Sequence, residues 1–140
     1  MRQISGSVIM NTHVCLLEPH CSLIRNQDDI LENVSHFCPH LSHSELRTLL
    51  ATNRFRKGKV FQKAELLSGG EKMRLAMLIA SHQQDCLLLL DEHDNHLDIS
   101  SKHILSDALL RYNSSFILVS HDQDFVSKCG ITHTYSLTVA

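Results

Sequence analysis

The chain has 140 residues, of which 43% are apolar and 20% are charged, and its formal net charge is −2. The length suits one compact domain, and the composition excludes a disordered or fibrous protein. The nearly neutral charge argues against an extended basic surface for nucleic acid. We interpret the local basic cluster of Arg54, Arg56, Lys57 and Lys59 as a solvated loop in preference to a phosphate-binding patch.

Apolar runs in the sequence are short. Even residues 86–90 fall far below the roughly 20 residues that span a bilayer, which predicts no membrane insertion. Residues 1–10 lack the apolar core and cleavage site of a signal peptide, so a cytoplasmic location is expected. The five cysteines show no Cys-x-x-Cys spacing, and we expect reduced, mostly buried thiols at positions 15, 21, 38, 86 and 129.

The first third of the chain predicts two strands followed by two helices. Residues 8–10 and 14–17 are short apolar runs that indicate two strands or a hairpin. Apolar residues recur at helical spacing over residues 28–37. A second helix is predicted to begin after Ser42, because Ser42 and Glu45 have the spacing of a capping box.

The rest of the chain alternates between helical and strand patterns. We predict a loop at 54–63, helices at 71–82, 100–112 and 123–129, and strands at 87–90, 116–119 and 134–137. The continuous apolar run at 87–90 is typical of a strand buried on both faces. Such alternation predicts an α/β fold with a parallel sheet.

Polar residues follow two of the predicted strands. Asp91 and Glu92 end the strand at 87–90, and His121 follows the strand at 116–119. Ligands of open parallel sheets bind beyond the carboxyl ends of the strands. There an acid can hold Mg²⁺, its neighbour can orient or deprotonate water, and a histidine can contact a γ-phosphate. Taken alone, the acidic pair is equally compatible with a helix cap.

A second candidate site is the segment Ser68-Gly69-Gly70-Glu71. Glycines let a backbone approach an anion, the serine offers a hydroxyl, and the helix that follows points its positive end at a ligand. In isolation, a plain helix-capping turn is the favoured interpretation of this segment.

The motifs LSGGEKMRLA, CLLLLDE, DNHLD and LVSHD, in this order, resemble the ATP-binding cassette (ABC) ATPases, and more closely their ABC-F branch. VCLLEPHCSLI and VFQKAELLSGGE extend the resemblance over residues 6–137. It implies a partial P-loop NTPase (ABC ATPase) fold with a helical signature subdomain packed on a parallel sheet. The implied single domain comprises a Q-loop strand region at 1–27, a helical signature subdomain at 28–85 and a Walker B to switch-histidine core at 86–140.

The resemblance also implies ATP and Mg²⁺ as cofactors. It implies an ATP-contacting signature motif made of Ser68, Gly69, Gly70 and Glu71. By the same resemblance Asp91 is the Walker B residue that binds Mg²⁺, Glu92 is the catalytic carboxylate, and His121 is the switch histidine. Residues 95–98 resemble the D-loop, which places Asp98 at the nucleotide.

The sequence departs from the family pattern at the phosphate-binding loop. That loop requires Gly-x-x-x-x-Gly-Lys-Ser/Thr, and the chain contains no such motif, since the pair Gly58-Lys59 has Asn53 and Val60 at the flanking positions. We expect the chain to begin just after the position of this loop. We therefore expect the strand at 87–90 to lose a neighbour and to expose apolar edge surface.

Two further departures lie in the loops around the site. Pro19 stands where the family has the Q-loop glutamine, and proline has no side-chain amide to reach Mg²⁺ or water. His93 and Asp94 replace the usual Pro-Thr after the catalytic glutamate. The first change is expected to weaken catalysis, and the second to alter only the loop.

The leading hypothesis is an ABC-F type ATPase fragment that is inactive alone. The resemblance implies a head-to-tail pairing with another ABC nucleotide-binding domain, and action at the ribosome. Alternatives are a non-catalytic partner that completes another ABC domain's ATP site, a fragment of a transporter ATPase subunit, or a gene remnant without function.

Overall fold

The described part of the protein contains a three-stranded parallel sheet. The computed structural model describes residues 6–7, 9–17, 21–83, 86–92 and 97–136. The strands are β1 (His13–Leu17), β2 (Cys86–Asp91) and β3 (Phe116–Val119), in the order β1-β2-β3. Both pairings are parallel, which confirms the predicted α/β fold with a parallel sheet, consistent with a partial P-loop NTPase (ABC ATPase) fold.

Helices fill the segments between the strands. Between β1 and β2 lie α1 (Ile30–Phe37), α2 (His43–Thr52) and α3 (Gly69–Ser81); α4 (Ile99–Leu110) joins β2 to β3, and α5 (Gln123–Lys128) follows β3. A short 3₁₀ helix at Lys57–Phe61 lies within the segment predicted as a loop, and a second one at Ala64–Leu66 follows that segment. The sheet therefore draws its strands from the first and third predicted segments, and α1 to α3 come from the second. The three-part division of the domain itself stays a prediction.

Local side-chain chemistry sets where the first three helices begin. Each begins with a capping box. The N-cap side chain accepts a hydrogen bond from the backbone amide of the glutamate three residues later, and the carboxylate of that glutamate accepts one from the N-cap amide. The pairs are Asp29 with Glu32, Ser42 with Glu45, and Ser68 with Glu71. These reciprocal bonds satisfy amides that have no partner within the helix. They place the start of α3 two residues before the predicted position.

The hydrophobic core lies on one face of the sheet. Leu17, Leu88 and Leu90 point into it from the strands and are at most 1% exposed. Helix α3 is the central helix of the core, because seven of its residues are buried, including every residue from Leu75 to Ala80. Apolar side chains around nearly the whole circumference identify a helix enclosed by other elements.

The other face of the sheet is open among the described residues. Leu87 and Leu89 are only partly buried, and Ile117 and Val119 are 53% and 43% exposed. The prediction that the run at 87–90 is buried on both faces is therefore wrong. The expectation of a lost neighbour is also wrong, since β2 has a strand on each side. Alternate residues point to opposite faces, so the exposed apolar surface lies on the face of the sheet and not on its edge.

The strands expected at the two ends of the chain are not formed in the described residues. Residues 9–11 are irregular, and position 8 lies outside the description. β1 pairs in parallel with β2, far along the chain, so the alternative of a local hairpin is wrong. Residues 131–136 also form no strand, and position 137 lies outside the description.

Cysteine usage differs from the expectation of five reduced thiols. Cys15 and Cys86 form a disulfide between β1 and β2, with their Cα atoms 6.1 Å apart. Cys15 aligns with Leu88, two residues beyond Cys86, so both side chains lie on the buried face of adjacent strands. Cys21, Cys38 and Cys129 are free and buried, and burial raises the pKa of the Cys21 and Cys38 thiols.

Candidate functional site

The amino-terminal end of α3 presents the serine and glycines of the signature segment to solvent. Ser68 Oγ accepts from the Glu71 amide at 3.3 Å, and Glu71 Oε2 accepts from the Ser68 amide at 3.0 Å. Ser68 and Gly69 are exposed. Because capping uses an oxygen lone pair, the hydroxyl proton of Ser68 is left to donate to a ligand.

A cavity of about 460 Å³ lies in front of this helix end. Its lining includes residues 68–71 from the start of α3 and residues 97, 98, 100 and 101 from the start of α4. Two helices therefore direct their positive ends at one space, an arrangement that favours an anion. Arg74, one turn along α3, adds a further positive charge to the lining.

Asp98 lies in this lining as the N-cap of α4. Its Oδ1 accepts from the Ser101 amide at 2.7 Å, and hydrogen bonding to Ser101 lowers the pKa of the Asp98 carboxyl. The structure thus brings Asp98 together with the signature residues. Its negative charge is partly offset by the helix end that it caps.

Glu71 is held from two sides. One carboxylate oxygen accepts from Ser68, and the other forms an ion pair with the ammonium group of Lys59. The hydrogen bond from Lys59 is the main cause of a lowered pKa at Glu71. Lys59 belongs to the basic cluster predicted to be a solvated loop, and that prediction is wrong for this lysine.

The strand-end residues meet at the carboxyl edge of the sheet. Asp91 is the last residue of β2 and aligns with Val119, two residues before His121. Glu92 follows with a backbone φ of +47°, a conformation that costs strain outside glycine. His121 Nε2 lies 3.1 Å from Glu92 Oε1, and the two side chains are 82% and 49% exposed.

The residues at this edge fit Mg²⁺. Carboxylate oxygens are the ligands that this hard cation prefers, and it usually takes one or two carboxylates with water and substrate phosphates. Asp91 and Glu92 supply such oxygens in an exposed position. In the described part of the chain, no three His, Cys, Asp or Glu residues form a metal-binding group, so the remaining ligands would be phosphate and water.

Several sequence expectations fall where the structure gives no description. The Q-loop position Pro19, the substituted positions His93 and Asp94, and the D-loop residue Asn95 all lie outside the described residues.

No prediction from the sequence covers two residues that line the cavity in front of α3, here called the signature cavity, or the lysine that pairs with Glu71. Ser101 had a detectable signal, since Asp98 and Ser101 have N-cap spacing. Arg74 had a weaker one, one helical turn after Gly70 on the same face. Lys59 had none, because the intervening 3₁₀ turns determine that it reaches Glu71.

Comparison with known proteins identifies the relatives of this chain. It is 34% identical over 131 residues to ABC transporter F family member 5 of Arabidopsis thaliana and equally identical over 131 residues to ABC transporter F family member 2 of the same plant. These alignments cover 91% of the chain and 19% of each relative. The chain belongs to the ABC-F type of ABC ATPase. No family model matches it.

A bacterial relative is also named as an ABC protein. The ABC-F chain is 34% identical over 127 residues to the Bacillus subtilis (strain 168) protein named "Uncharacterized ABC transporter ATP-binding protein YfmM", which covers 89% of the chain and 24% of that relative. The chain thus spans about a quarter or less of the length of these relatives. Among its described helices, none has the length and apolar character that crossing a membrane requires.

Proposed function

We propose that this chain is an ATP-binding part of a cytoplasmic ABC-F ATPase and that it does not hydrolyse ATP by itself. The observation that carries the proposal is the cavity where the starts of α3 and α4 converge beside the exposed Ser68. A triphosphate held by a second ABC domain would place its terminal phosphate there, against two helix ends and a serine hydroxyl.

The signature residues have distinct parts in this proposal. Ser68 donates its hydroxyl to the phosphate, and Gly69 and Gly70 admit the phosphate close to the backbone. Each carboxylate oxygen of Glu71 already has a partner, one in Ser68 and the other in Lys59, so Glu71 fixes the turn that presents Ser68 to the nucleotide. Asp98 shapes the opposite wall as the cap of α4.

The strand-end residues supply the hydrolytic chemistry. In a complete ABC-F ATPase, Asp91 would hold Mg²⁺, Glu92 would orient and deprotonate the attacking water, and His121 would contact the γ-phosphate. The hydrogen bond between His121 and Glu92 supports these roles, because it positions the carboxylate before nucleotide arrives. When bound, Mg²⁺ would neutralise charge that develops on the phosphates.

Inactivity of the isolated chain follows from the missing phosphate cradle. No Gly-x-x-x-x-Gly-Lys-Ser/Thr motif occurs in its 140 residues. Phosphoryl transfer depends almost entirely on positioning and charge stabilisation, to which that loop contributes strongly. Purified chain is expected to show no ATPase activity above a Glu92→Gln control.

A second candidate function is completion of another ABC domain's ATP site. The formed and exposed signature cavity favours it, because in a head-to-tail pair the signature faces ATP on the partner's phosphate-binding loop. Asp91, Glu92 and His121 would face the other site, where this chain brings no such loop. A role at the ribosome rests on family resemblance alone.

One mixing experiment separates the two functions. The chain is added to an ABC-F domain that has a phosphate-binding loop but an inactivated signature motif, and ATP hydrolysis is measured. Completion of the partner's site predicts a gain of activity that Gly69→Asp abolishes and Glu92→Gln leaves intact. Ser42→Ala, which removes the equivalent cap of α2, is the matched control. Activity of the chain alone above the Glu92→Gln level would contradict the proposed function.

A further inference from the structure

A second cavity, of about 340 Å³, lies between the end of α2 and the bodies of α3 and α4. Three arginines line it from three different elements. Arg54 follows the end of α2, Arg74 lies on α3, and Arg111 caps the end of α4. We call this cavity the arginine groove; it shares Arg74 with the signature cavity and is otherwise lined mostly by different residues.

The guanidinium groups of the arginine groove are uncompensated. Within the described ranges, Arg54, Arg74 and Arg111 make no ion pair and no side-chain hydrogen bond, whereas Arg25, Lys59, Lys102 and Lys128 all pair with carboxylates. The lining contains one acid, Asp107. Three cations against one acid leave a concentrated positive charge in a concave space.

Helix capping does not account for these arginines. Cations are favoured at the carboxyl ends of helices, where α2 and α4 place Arg54 and Arg111. A capping arginine donates to the last carbonyl groups, and neither side chain forms such a bond among the described residues. Their donors are therefore available to a ligand.

Arg54 occupies the left-handed turn that ends α2. Its φ is +67°, in the left-handed region that glycine adopts without strain. Hydrogen bonds from Arg54 N to Ala51 O and from Phe55 N to Leu50 O fix this turn, and the Phe55 side chain is 1% exposed. An arginine here carries a conformational cost that glycine would avoid.

We propose that the arginine groove binds the phosphate group of a small organic phosphate. Guanidinium groups form paired, charge-assisted hydrogen bonds with phosphate oxygens. Met77, Leu78 and Ala108 provide an apolar lining for the organic part of the ligand. The volume lies at the lower end of the range of roughly 300–1,000 Å³ that is common for small-molecule sites.

A small ligand fits this site better than a nucleic acid does. All three arginines line the same cavity. The chain as a whole has a formal net charge of −2, which disfavours a polyanion. RNA is therefore included in the test as a competing outcome.

Calorimetric titration of the full chain tests the proposal, with phenyl phosphate, inorganic phosphate and a short single-stranded RNA as probes. Phenyl phosphate is expected to bind more tightly than inorganic phosphate, because only the former reaches the apolar lining. Arg54→Gln and Arg111→Gln should each weaken phenyl phosphate binding about tenfold, the loss expected for a hydrogen bond to a charged group. Asp107→Asn should strengthen it several-fold.

The matched control is Arg56→Gln, which removes an exposed arginine of the same loop that lies outside the groove lining. Arg74 is left unchanged, since it also lines the signature cavity. Circular dichroism verifies that each variant is folded.

The proposal is overturned if Arg54→Gln and Arg111→Gln bind phenyl phosphate as the parent chain does. It is equally overturned if phenyl phosphate binds no more tightly than inorganic phosphate, or if only RNA binding depends on these arginines. No arm uses ATP hydrolysis, so this outcome is separate from that of the proposed function.

Discussion

Gly70 lies against Ser101 at the point where the first turn of α3 meets the first turn of α4. A Cβ atom placed on Gly70 would stand 2.7 Å from the Ser101 side-chain oxygen, closer than side chains tolerate. The neighbouring Gly69 has open space at the same position. The two glycines of the signature motif therefore differ: Gly70 permits the approach of two helices, and Gly69 keeps the cavity in front of them open.

We predict opposite effects on stability for alanine at these two positions. Gly69→Ala should stabilise the fold by about 0.5 kcal/mol, because alanine is the better helix former and meets no neighbour. Gly70→Ala should destabilise it by about 1 kcal/mol, because the side-chain oxygen of the buried Ser101 must move out of its rotamer, at a cost that exceeds the gain in helix propensity. Urea denaturation measures both free energies of unfolding.

A double-mutant cycle isolates the contact behind the Gly70 effect. Ser101→Ala removes the oxygen that the new methyl group would meet, so Gly70→Ala should lose most of its cost in that background. An equal cost of Gly70→Ala with serine and with alanine at position 101 would show that crowding between the helices is not the cause.

Local chemistry made much of the fold predictable. The capping box of Ser42 and Glu45 predicts the start of α2, because it needs only two residues three positions apart. The strands β2 and β3 followed from their continuous apolar runs. The strand-end site also followed, since parallel strands bring Glu92 and His121 to one edge once both strands are assigned.

Features that depend on packing between distant segments were not predictable. The disulfide forms only in the observed register of β1 against β2, and the sequence pattern does not predict that register. The ion pair of Lys59 with Glu71 depends on the path of two 3₁₀ helices. Leu87 is half-buried because no described element covers the face of the sheet on which it lies. An apolar run does not indicate whether one face of the strand or both faces are covered.

Replacement of Lys59 is predicted to raise the pKa of Glu71. The Lys59 ammonium holds this carboxyl below its ordinary value of 4.5, so Lys59→Gln should return the pKa toward that value. Carbon-detected NMR of labelled glutamate measures the titration. Glu45 is an internal reference, because its pKa is lowered by Ser42 and not by a lysine, and it should titrate unchanged.

The ion pair between Lys59 and Glu71 makes the free energy of unfolding depend on pH. A carboxyl with a lowered folded pKa contributes stability that is present above its unfolded value, here about 4.5, and is lost as the pH falls through the folded pKa. Lys59→Gln should therefore lower the free energy of unfolding near neutral pH. The difference in this free energy between the variant and the parent chain should become smaller at lower pH. Lys63→Gln, at an exposed position that forms no described ion pair, is the control and should match the parent chain throughout.

Two serines with the same capping role allow stability and nucleotide contact to be separated. Ser68 and Ser42 each accept from a glutamate amide at 3.3 Å, so alanine at either position should cost about 1 kcal/mol of stability. Only Ser68 lies in the signature cavity. Ser68→Ala should therefore reduce ATP-dependent association with a complete ABC-F domain, and Ser42→Ala should not. Equal loss of association in both variants would assign the effect to stability alone.

The disulfide between Cys15 and Cys86 predicts a definite number of reactive thiols. Unfolded chain without reductant should expose three thiols, those of Cys21, Cys38 and Cys129, and reductant should raise the number to five. Cys15→Ser frees Cys86 and should expose four thiols under both conditions, which mass spectrometry after alkylation measures. Because the bond closes a loop with a sequence separation of 71 residues, its reduction should also lower the free energy of unfolding by about 4 kcal/mol. Five thiols in the unreduced parent chain would show that the two strands are held together by packing and backbone hydrogen bonds alone.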